Sequence, residues 1–265
     1  MINCPICDSP SYFFALKKDR FGQEYKYIKC GQCRFLFDED LVLDKGKLQA
    51  KTSKVYQEDY FKIIDSGWKM RGDKISKIIN KFLKIYKFIK YRKKLKVLDY
   101  GGGNGYITSK IAPFFDVLYY DKYEKPTYFS NYTVLEKPAE AHIVCAIELI
   151  EHITDFNEWD NLAKLSFNAL LFTTELSDEI SDKELTNWWY LNPDAGHTSI
   201  YSFMALYLLA KKHGFVYFFF PSKSFHIFLR NSFLSKINFV ELEYPIYNIF
   251  RKIKHILKRS HENIF

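Results

Sequence analysis

The chain has 265 residues, of which 48% are hydrophobic and 18% aromatic, and its formal net charge is +8. This length and composition allow one sizeable buried core with room for a small accessory module, and they exclude low-complexity disorder. The first residues lack a basic region followed by an apolar run, and no later segment offers about 18 uninterrupted apolar residues. We therefore expect a soluble, cytoplasmic protein without a membrane-spanning helix.

Four of the five cysteines form two Cys-x-x-Cys pairs separated by 22 residues: Cys4, Cys7, Cys30 and Cys33. Each pair can form a tight turn that places two thiolates side by side, and two such turns close a tetrahedron around Zn²⁺. A disulfide or a redox pair is the alternative, which a reducing compartment disfavours. We predict a structural zinc ribbon over residues 1–45, in which the metal supplies the folding free energy that so small a module lacks.

The positive charge is concentrated in one segment, since Lys62 to Lys96 contains 13 lysines and arginines against two aspartates. From Ile75 to Ile89 apolar residues recur at intervals of three and four, and lysines occupy the other face. This pattern predicts an amphipathic helix within a helical linker or lid over residues 46–95. A solvated basic face is the simplest interpretation, and attraction to a polyanion or an acidic substrate is the alternative.

Strands and helices alternate over residues 96–230. Seven segments are typical of strands, and they are KLKVLDY, DVLYYD, NYTVL, AHIVCAIELI, ALLFTTEL, FVYFFF and SFHIFLR. Helices are predicted up to about Ile111, from Phe156 to Leu165, and in SFMALYLLAKKHG before Gly214. We expect an α/β fold with a Rossmann-like, doubly wound sheet of seven strands, mostly parallel with an antiparallel last strand.

The C-terminal tail, residues 231–265, is predicted to be helical and basic, and it ends in a second, shorter basic amphipathic pattern, IFRKIKHILKRSHENIF. Packing of its apolar residues on the body of the protein is the simpler interpretation. Weak contact with a membrane surface is the alternative.

The loop after the first of the seven strands has the sequence LDYGGGNGYITSK over residues 98–110. A nucleoside triphosphate loop needs Gly-Lys-Ser/Thr at the helix start, but Gly105 is followed by Tyr106 and Ile107. A dinucleotide loop of the form GxGxxG needs a third glycine where Tyr106 stands. What remains is an acidic residue followed by alternating glycines, which let a ligand approach the backbone: Asp99, Gly101, Gly103 and Gly105.

This stretch resembles motif I of the class I S-adenosylmethionine-dependent methyltransferases. The resemblance implies that S-adenosylmethionine lies against the loop and that Asp121, 20 residues after Gly101, accepts its ribose hydroxyls; an ordinary turn aspartate at a strand end is the alternative. The segment AIELIEHI resembles the E-x-x-E-H segment of many members, which implies that Glu148 faces the cofactor. Glu151 and His152 then begin the next helix, where an acidic residue is also an ordinary helix cap.

The order of segments is also similar to that of bacterial methyltransferases with an N-terminal zinc module. Those enzymes modify sugars, nucleotide-linked sugars and precursors of capsules, cell-surface polysaccharides or antibiotics. In them a tyrosine from a segment of the EDYF type covers the cofactor, which implies a cofactor contact for Tyr60 and a second one for Tyr56. Ordinary aromatic packing is the alternative for both tyrosines.

The loop after the fifth strand, NWWYLNPDAGHTS, contains His197, the strongest candidate for a general base. A histidine titrates near neutrality, so it can take a proton from an acceptor hydroxyl. A turn or N-cap histidine ahead of the following helix is the alternative. Glu151 and His152 are the other candidate catalytic residues, and the expected acceptor is a hydroxyl or carbon of a small, sugar-like or anionic molecule.

Two further hypotheses remain open at this stage. In the first, the zinc ribbon and the basic helix hold RNA or tRNA, although the sequence lacks the Asn/Asp-Pro-Pro-Tyr element of the methylases that act on base amino groups. In the second, the chain is a non-enzymatic zinc-ribbon adaptor. The intact glycine loop and Asp121 argue against that hypothesis.

Overall fold

The structure, a computed structural model, describes residues 2–55, 66–90, 94–128, 131–165, 167–219 and 224–234. Tyr56, Tyr60 and the tail beyond residue 234 lie outside the described residues. The predictions made for them, two cofactor contacts and a basic amphipathic tail, therefore stay predictions.

The first sheet has five strands, all antiparallel to their neighbours, in the order β1-β2-β3-β4-β10. Its strands are β1 (Ile2–Asn3), β2 (Pro10–Lys18), β3 (Glu24–Cys30), β4 (Leu36–Asp38) and β10 (Ser199–Ile200). The first four come from the predicted zinc ribbon, whereas β10 comes from the loop that contains His197. The N-terminal module and this loop therefore share one sheet, which the sequence did not predict.

The second sheet has seven strands in the order β11-β12-β9-β8-β5-β6-β7. Its strands are β5 (Lys96–Tyr100), β6 (Asp116–Tyr120), β7 (Tyr132–Val134), β8 (Ile143–Ala146), β9 (Ala169–Thr173), β11 (Phe215–Phe219) and β12 (Phe225–Arg230). The last strand, β12, is antiparallel to both of its neighbours, and the pairs from β9 to β7 are parallel. The predicted Rossmann-like sheet with an antiparallel last strand is confirmed.

The described helices are α1 (Asp40–Leu43), α2 (Lys45–Ser53), α3 (Trp68–Lys90), α4 (Tyr106–Ile111), α5 (Asn157–Lys164), α6 (Asp182–Leu185), α7 (Phe203–Lys212) and α8 (Asn231–Leu234). Two short 3₁₀ turns lie at Ile150–His152 and Pro193–Ala195. The basic helix α3 begins before the predicted Ile75, because its first turn packs on Tyr106 and lacks the apolar repeat of the core-facing turns. Among the described helices, none combines the length and the apolar character needed to cross a membrane.

The core lies on both faces of the second sheet. On one face, Ile79 and Leu83 of α3 pack with Val97 and Ile143 of the sheet. On the other face, the cluster of buried residues continues from Phe172 of β9 through Trp159 into the first sheet. Since alternate residues of a strand point to opposite faces, the sheet is covered on both sides, as doubly wound folds require. The parallel strands β5, β6, β8 and β9 therefore present their carboxyl ends at one common edge.

Candidate functional site

The glycine loop follows β5 at this edge, and its backbone leaves no room for side chains at two positions. Gly101 has a φ of +72°, and the Cβ of any other residue at this position would lie 2.7 Å from Cδ1 of Leu149. A side chain at Gly102 would place its Cβ 2.5 Å from the ring of Tyr119. The loop is thus enclosed between β6 and the segment after β8. Any group bound on the loop lies next to the segment that contains Glu148 and Glu151.

Asp121 lies at the end of β6 and is held by the backbone around it. Its Oδ2 accepts a hydrogen bond of 2.9 Å from the amide of Gly103, and its Oδ1 accepts bonds of 2.8 Å from the amides of Tyr123 and Glu124. The side chain is half-buried. The carboxylate predicted to grip the ribose is therefore oriented beside the glycine loop.

Asp99, the acidic residue of the predicted cofactor motif, is only 2% exposed. The hydroxyl of Thr108 in α4 donates a hydrogen bond to its Oδ2. Burial raises the pKa of Asp99 to about 6, and the charge of Asp121 adds to the rise. In this structure Asp99 ties the end of β5 to α4 behind the loop, and a contact with a cofactor remains a prediction for this residue.

The first turn of α3 covers the helix that follows the glycine loop. The ring of Trp68 meets the ring of Tyr106 edge to face at 5.1 Å, and the hydroxyl of Tyr106 donates a 2.9 Å hydrogen bond to Asp73. Gly72 lies directly against the same ring, since a Cβ there falls 3.0 Å from it. This turn also places Arg71 at the edge of the sheet.

Glu148 follows β8 with a φ of +51°, a conformation that is uncommon for a residue with a side chain. The hydroxyl of Thr173 accepts a 2.8 Å hydrogen bond from the amide of Glu148 and donates one of 2.8 Å to its Oε1. Arg71 Nε donates a 2.9 Å bond to Oε2. Sequence reasoning missed both partners, because Arg71 lies outside the periodic part of α3 and Thr173 is brought near only by strand register.

The predicted catalytic residues converge beside Glu148. One ligand atom each of Glu151, His152 and His197 lies within 4.8 Å of the others, and the two imidazole rings meet at 4.9 Å. The Nδ1 atoms contact backbone carbonyl oxygens, that of His197 at 2.6 Å from Tyr190 and that of His152 at 3.2 Å from Gly196. A carbonyl oxygen only accepts, so each Nδ1 carries the proton and each Nε2 carries the lone pair.

The electrostatics of this group favour uncharged side chains. Glu151 is fully buried, and its carboxylate oxygens have no hydrogen-bond partner within the part of the chain that the structure describes. Burial raises the pKa of Glu151 to about 8, and the negative charge of Glu148 adds to the rise. The nearby hydroxyl of Tyr190 and the positive charge of Arg71 lower this pKa, but by less. Burial also lowers the pKa of His197 to about 3, so its imidazole is neutral at physiological pH.

The four N-terminal cysteines converge at the edge of the first sheet. Their Sγ atoms all lie within 4.8 Å of one another, with Cys4 to Cys33 at 3.6 Å and Cys7 to Cys30 at 3.5 Å. All four are free thiols. The residue after each pair, Asp8 and Arg34, is in the left-handed region, so the chain turns sharply around the sulfur atoms. Four sulfur donors in such a cluster fit the tetrahedral coordination of Zn²⁺.

The N-terminal module holds the loop that contains His197. The hydroxyl of Tyr27 donates a 2.6 Å hydrogen bond to the carbonyl oxygen of His197, and the amide of Asp38 donates one of 2.9 Å to Thr198. The amide of Arg20 donates a 2.6 Å bond to Asp194 in the same loop. The position of His197 therefore depends on the folded N-terminal module.

The sequence model of a methyltransferase domain family matches residues 68–218. A search of curated proteins found no significant match. The magnesium protoporphyrin IX methyltransferase of Synechocystis PCC 6803, solved with bound SAH, is 13% identical, with 71% of this chain and 96% of that chain covered and a TM-score of 0.42. The plantazolicin methyltransferase BpumL, in complex with SAH, is 13% identical, with 72% and 99% covered and a TM-score of 0.48.

An O-methyltransferase family protein from Burkholderia thailandensis is 11% identical, with 72% of this chain and 71% of that chain covered and a TM-score of 0.41. The matched family range, residues 68–218, contains the glycine loop, Asp121 and the segment from Glu148 to His197. The four clustered cysteines precede it.

Proposed function

The chain belongs to this methyltransferase domain family and is an S-adenosylmethionine-dependent methyltransferase, and from this premise we propose that it methylates a hydroxyl or carbon of a small, sugar-like or anionic acceptor. The observation that carries the proposal is the contact of Gly101 with Leu149, which places the cofactor loop beside the group of Glu151, His152 and His197. This proximity supports a reaction centre in which the cofactor and the acceptor lie side by side at the carboxyl edge of the sheet.

The residues around the glycine loop fit S-adenosylmethionine. The glycines of the loop leave its backbone accessible. The carboxylate of Asp121 stands beside it, where three backbone amides use three of its four lone-pair positions and the remaining one, on Oδ2, can accept a ribose hydroxyl. We assign Asp121 to the ribose, Glu148 to the cofactor site, and Tyr60 to covering the cofactor. When bound, S-adenosylmethionine supplies a methyl group that is displaced in line: the bond from the acceptor atom to carbon forms as the carbon–sulfur bond breaks and its electron pair stays on sulfur.

His197 is the proposed general base. Its Nδ1–H is held by the carbonyl oxygen of Tyr190, so the lone pair lies on Nε2, and one ring nitrogen lies within 4.8 Å of ligand atoms of Glu151 and His152. The acceptor hydroxyl loses its proton to this nitrogen as its oxygen attacks the methyl carbon. Glu151 and His152 position the acceptor beside it. The ring is neutral at physiological pH, so the lone pair of Nε2 is not already protonated.

Two features support an anionic or sugar-like acceptor. Arg71 stands at the edge of the site, where it pairs with Glu148 and keeps 43% of its side chain exposed. A guanidinium in this position can bind a carboxylate or phosphate through two parallel hydrogen bonds. Trp189 is 68% exposed and meets the ring of Tyr190 edge to face at 5.2 Å, so it offers an aromatic surface for a sugar ring near His197.

The test is methyl transfer from S-adenosylmethionine labelled in its methyl group. The full chain is incubated with nucleotide-linked sugars, anionic sugars and, separately, bulk tRNA. The reaction is run in a reducing buffer, and we expect the label to appear in a small acceptor. Labelling of tRNA alone, with a steep loss of activity as salt is raised, contradicts the proposed acceptor class and favours the RNA hypothesis.

A further inference from the structure

We propose that Glu151, His152 and His197 form a binding site for a divalent first-row transition metal ion, which holds the acceptor oxygen for methyl transfer. The site itself is argued from the geometry of these three residues. Its role in catalysis rests on the proposed function.

The geometry resembles that of metal-binding histidines in proteins. Each imidazole donates its Nδ1–H to a backbone carbonyl oxygen, of Tyr190 and of Gly196, which fixes the ring and leaves the lone pair on Nε2. Histidines that bind metals through one ring nitrogen usually donate the other N–H in this way. The three ligand atoms lie within 4.8 Å of one another, so their separations need to shorten by at most about 1.5 Å to reach the roughly 3.3 Å between ligands that stand about 2.0–2.1 Å from one tetrahedral ion.

The burial of Glu151 supplies the second, independent observation. Its side chain is 0% exposed, and its two oxygens accept no hydrogen bond from the described residues. The nearby cation, Arg71, is bound to Glu148 at 2.9 Å. Buried carboxylates are ordinarily paired, hydrogen-bonded or bound to metal. A cation between Glu151 and the two histidines would take the place of the proton on Glu151 and stabilise its ionised form, since carboxylates bind metal deprotonated.

The donor set selects the class of ion. Two imidazole nitrogens and one carboxylate oxygen suit manganese, iron, cobalt or zinc, whereas magnesium and calcium prefer oxygen ligands. Three protein ligands leave at least one coordination position open. This site differs from the cluster of Cys4, Cys7, Cys30 and Cys33, whose four sulfur ligands fill a tetrahedral shell.

The open coordination position of the ion gives the proposed site a role in methyl transfer, because an acceptor hydroxyl can bind there. An acceptor hydroxyl bound there loses its proton to solvent more readily, as water does on a bound metal ion. Its oxygen then forms the bond to the methyl carbon as the carbon–sulfur bond breaks toward sulfur. With the ion bound, Nε2 of His197 is a ligand and cannot accept the acceptor proton, so the base role proposed for His197 applies to the site without the ion.

The test is metal binding by the full chain, first saturated with zinc at its cysteines and freed of excess metal. Mn²⁺ is titrated and followed by electron paramagnetic resonance, and Co²⁺ is followed by its visible absorption. We expect one further ion per chain, bound through nitrogen and oxygen ligands. Glu151→Gln and His197→Gln should each weaken binding at least about tenfold, while His213→Gln, whose histidine lies at the end of α7, should bind as the wild type does.

Binding of S-adenosylmethionine to each variant, measured in parallel, separates the possible failures. If the wild type binds S-adenosylmethionine but neither Mn²⁺ nor Co²⁺ beyond the zinc, the metal site is overturned and His197 remains the proposed base. Equal loss of metal in the His213 variant also overturns the assignment to these residues. Failure to bind S-adenosylmethionine, with metal binding intact, contradicts the proposed function and leaves the metal site standing.

Discussion

The hydroxyl of Tyr27 in the N-terminal module donates a 2.6 Å hydrogen bond to the carbonyl oxygen of His197. Both residues are buried, and β10 continues the first sheet only two residues after His197. The N-terminal module is thus built into the wall of the candidate active site. Its integrity should matter for turnover as well as for stability.

Replacing Tyr27 by phenylalanine tests this coupling. Tyr27→Phe leaves a buried carbonyl oxygen without its donor, so we expect a loss of about 1–3 kcal/mol of unfolding free energy. Turnover should fall severalfold because His197 is less well held, with the affinity for S-adenosylmethionine unchanged. Urea unfolding, steady-state kinetics and calorimetry measure the three quantities.

The same strand offers a matched control in Tyr25. Its ring is equally buried, but its hydroxyl lies near the carboxylate of Asp19 and makes no hydrogen bond to His197. Tyr25→Phe should therefore change stability and turnover much less than Tyr27→Phe. Equal effects of the two changes contradict a specific role for the bond to His197.

The cysteine cluster is expected to contain one zinc ion per chain. Cys30→Ser should remove that zinc and lower the melting temperature, because metal binding supplies folding free energy to small modules of this kind. Cys145→Ala alters a buried cysteine of β8, distant from the cluster in the fold, and should retain the zinc. Elemental analysis and thermal unfolding of both variants provide the check. A full zinc content in the Cys30 variant refutes the assignment.

Asp99 gives a pH dependence of stability. Burial raises its pKa from 3.8 to about 6, so the folded protein keeps this proton over a range in which the unfolded chain has lost it. The stabilisation by the protonated Asp99 is complete below about pH 4 and declines as the pH rises through about 6. Above that pH the folded protein has lost about 3 kcal/mol of unfolding free energy from this group. Asp99→Asn removes the titrating group.

The Asp99→Asn variant should therefore exceed the wild type in unfolding free energy by more at pH 8 than at pH 5. Urea unfolding at both values tests this, since the difference between the variant and the wild type cancels contributions from other groups. The exposed Asp116 provides the control change, Asp116→Asn. A constant difference at the two pH values contradicts a raised pKa.

Arg71 is predicted to bind the anionic part of the acceptor. Arg71→Gln should raise the KM for an anionic acceptor about tenfold, because a bidentate, charge-assisted contact is lost. Stability should change by less than about 1 kcal/mol, since the ion pair with Glu148 is partly exposed. Lys74→Gln on the exposed face of the same helix is the control. An unchanged KM in the Arg71 variant removes the argument for an anionic acceptor.

Local patterns predicted most of the fold. Some features depend only on residues that are close in the sequence, so they can be predicted from it. These are the apolar repeat of α3, the short apolar strands and the paired cysteines. Strand β10 has only two residues, Ser199 and Ile200. It exists because it pairs with β4, a contact between distant parts of the chain that no local period reveals.

The candidate site was predicted as separate residues rather than as an arrangement. Glu151 and His152 were identified from one segment and His197 from another, and only the fold brings them within 4.8 Å. The tautomers that leave the lone pair of both imidazoles on Nε2 depend on carbonyl oxygens of the loop, whose orientation a sequence does not give. Arg71 and Thr173 were missed for the same reason.

The most direct test of the account is calorimetric titration of the full chain with S-adenosylmethionine. We predict one molecule bound per chain, lost in Asp121→Ala and kept in Asp116→Ala, which alters an exposed aspartate at the start of the same strand. Asp121→Asn, which retains an acceptor for the neighbouring amides, should bind weakly if the charge grips the ribose. Absence of binding to the wild type, or full affinity in Asp121→Ala, contradicts the account.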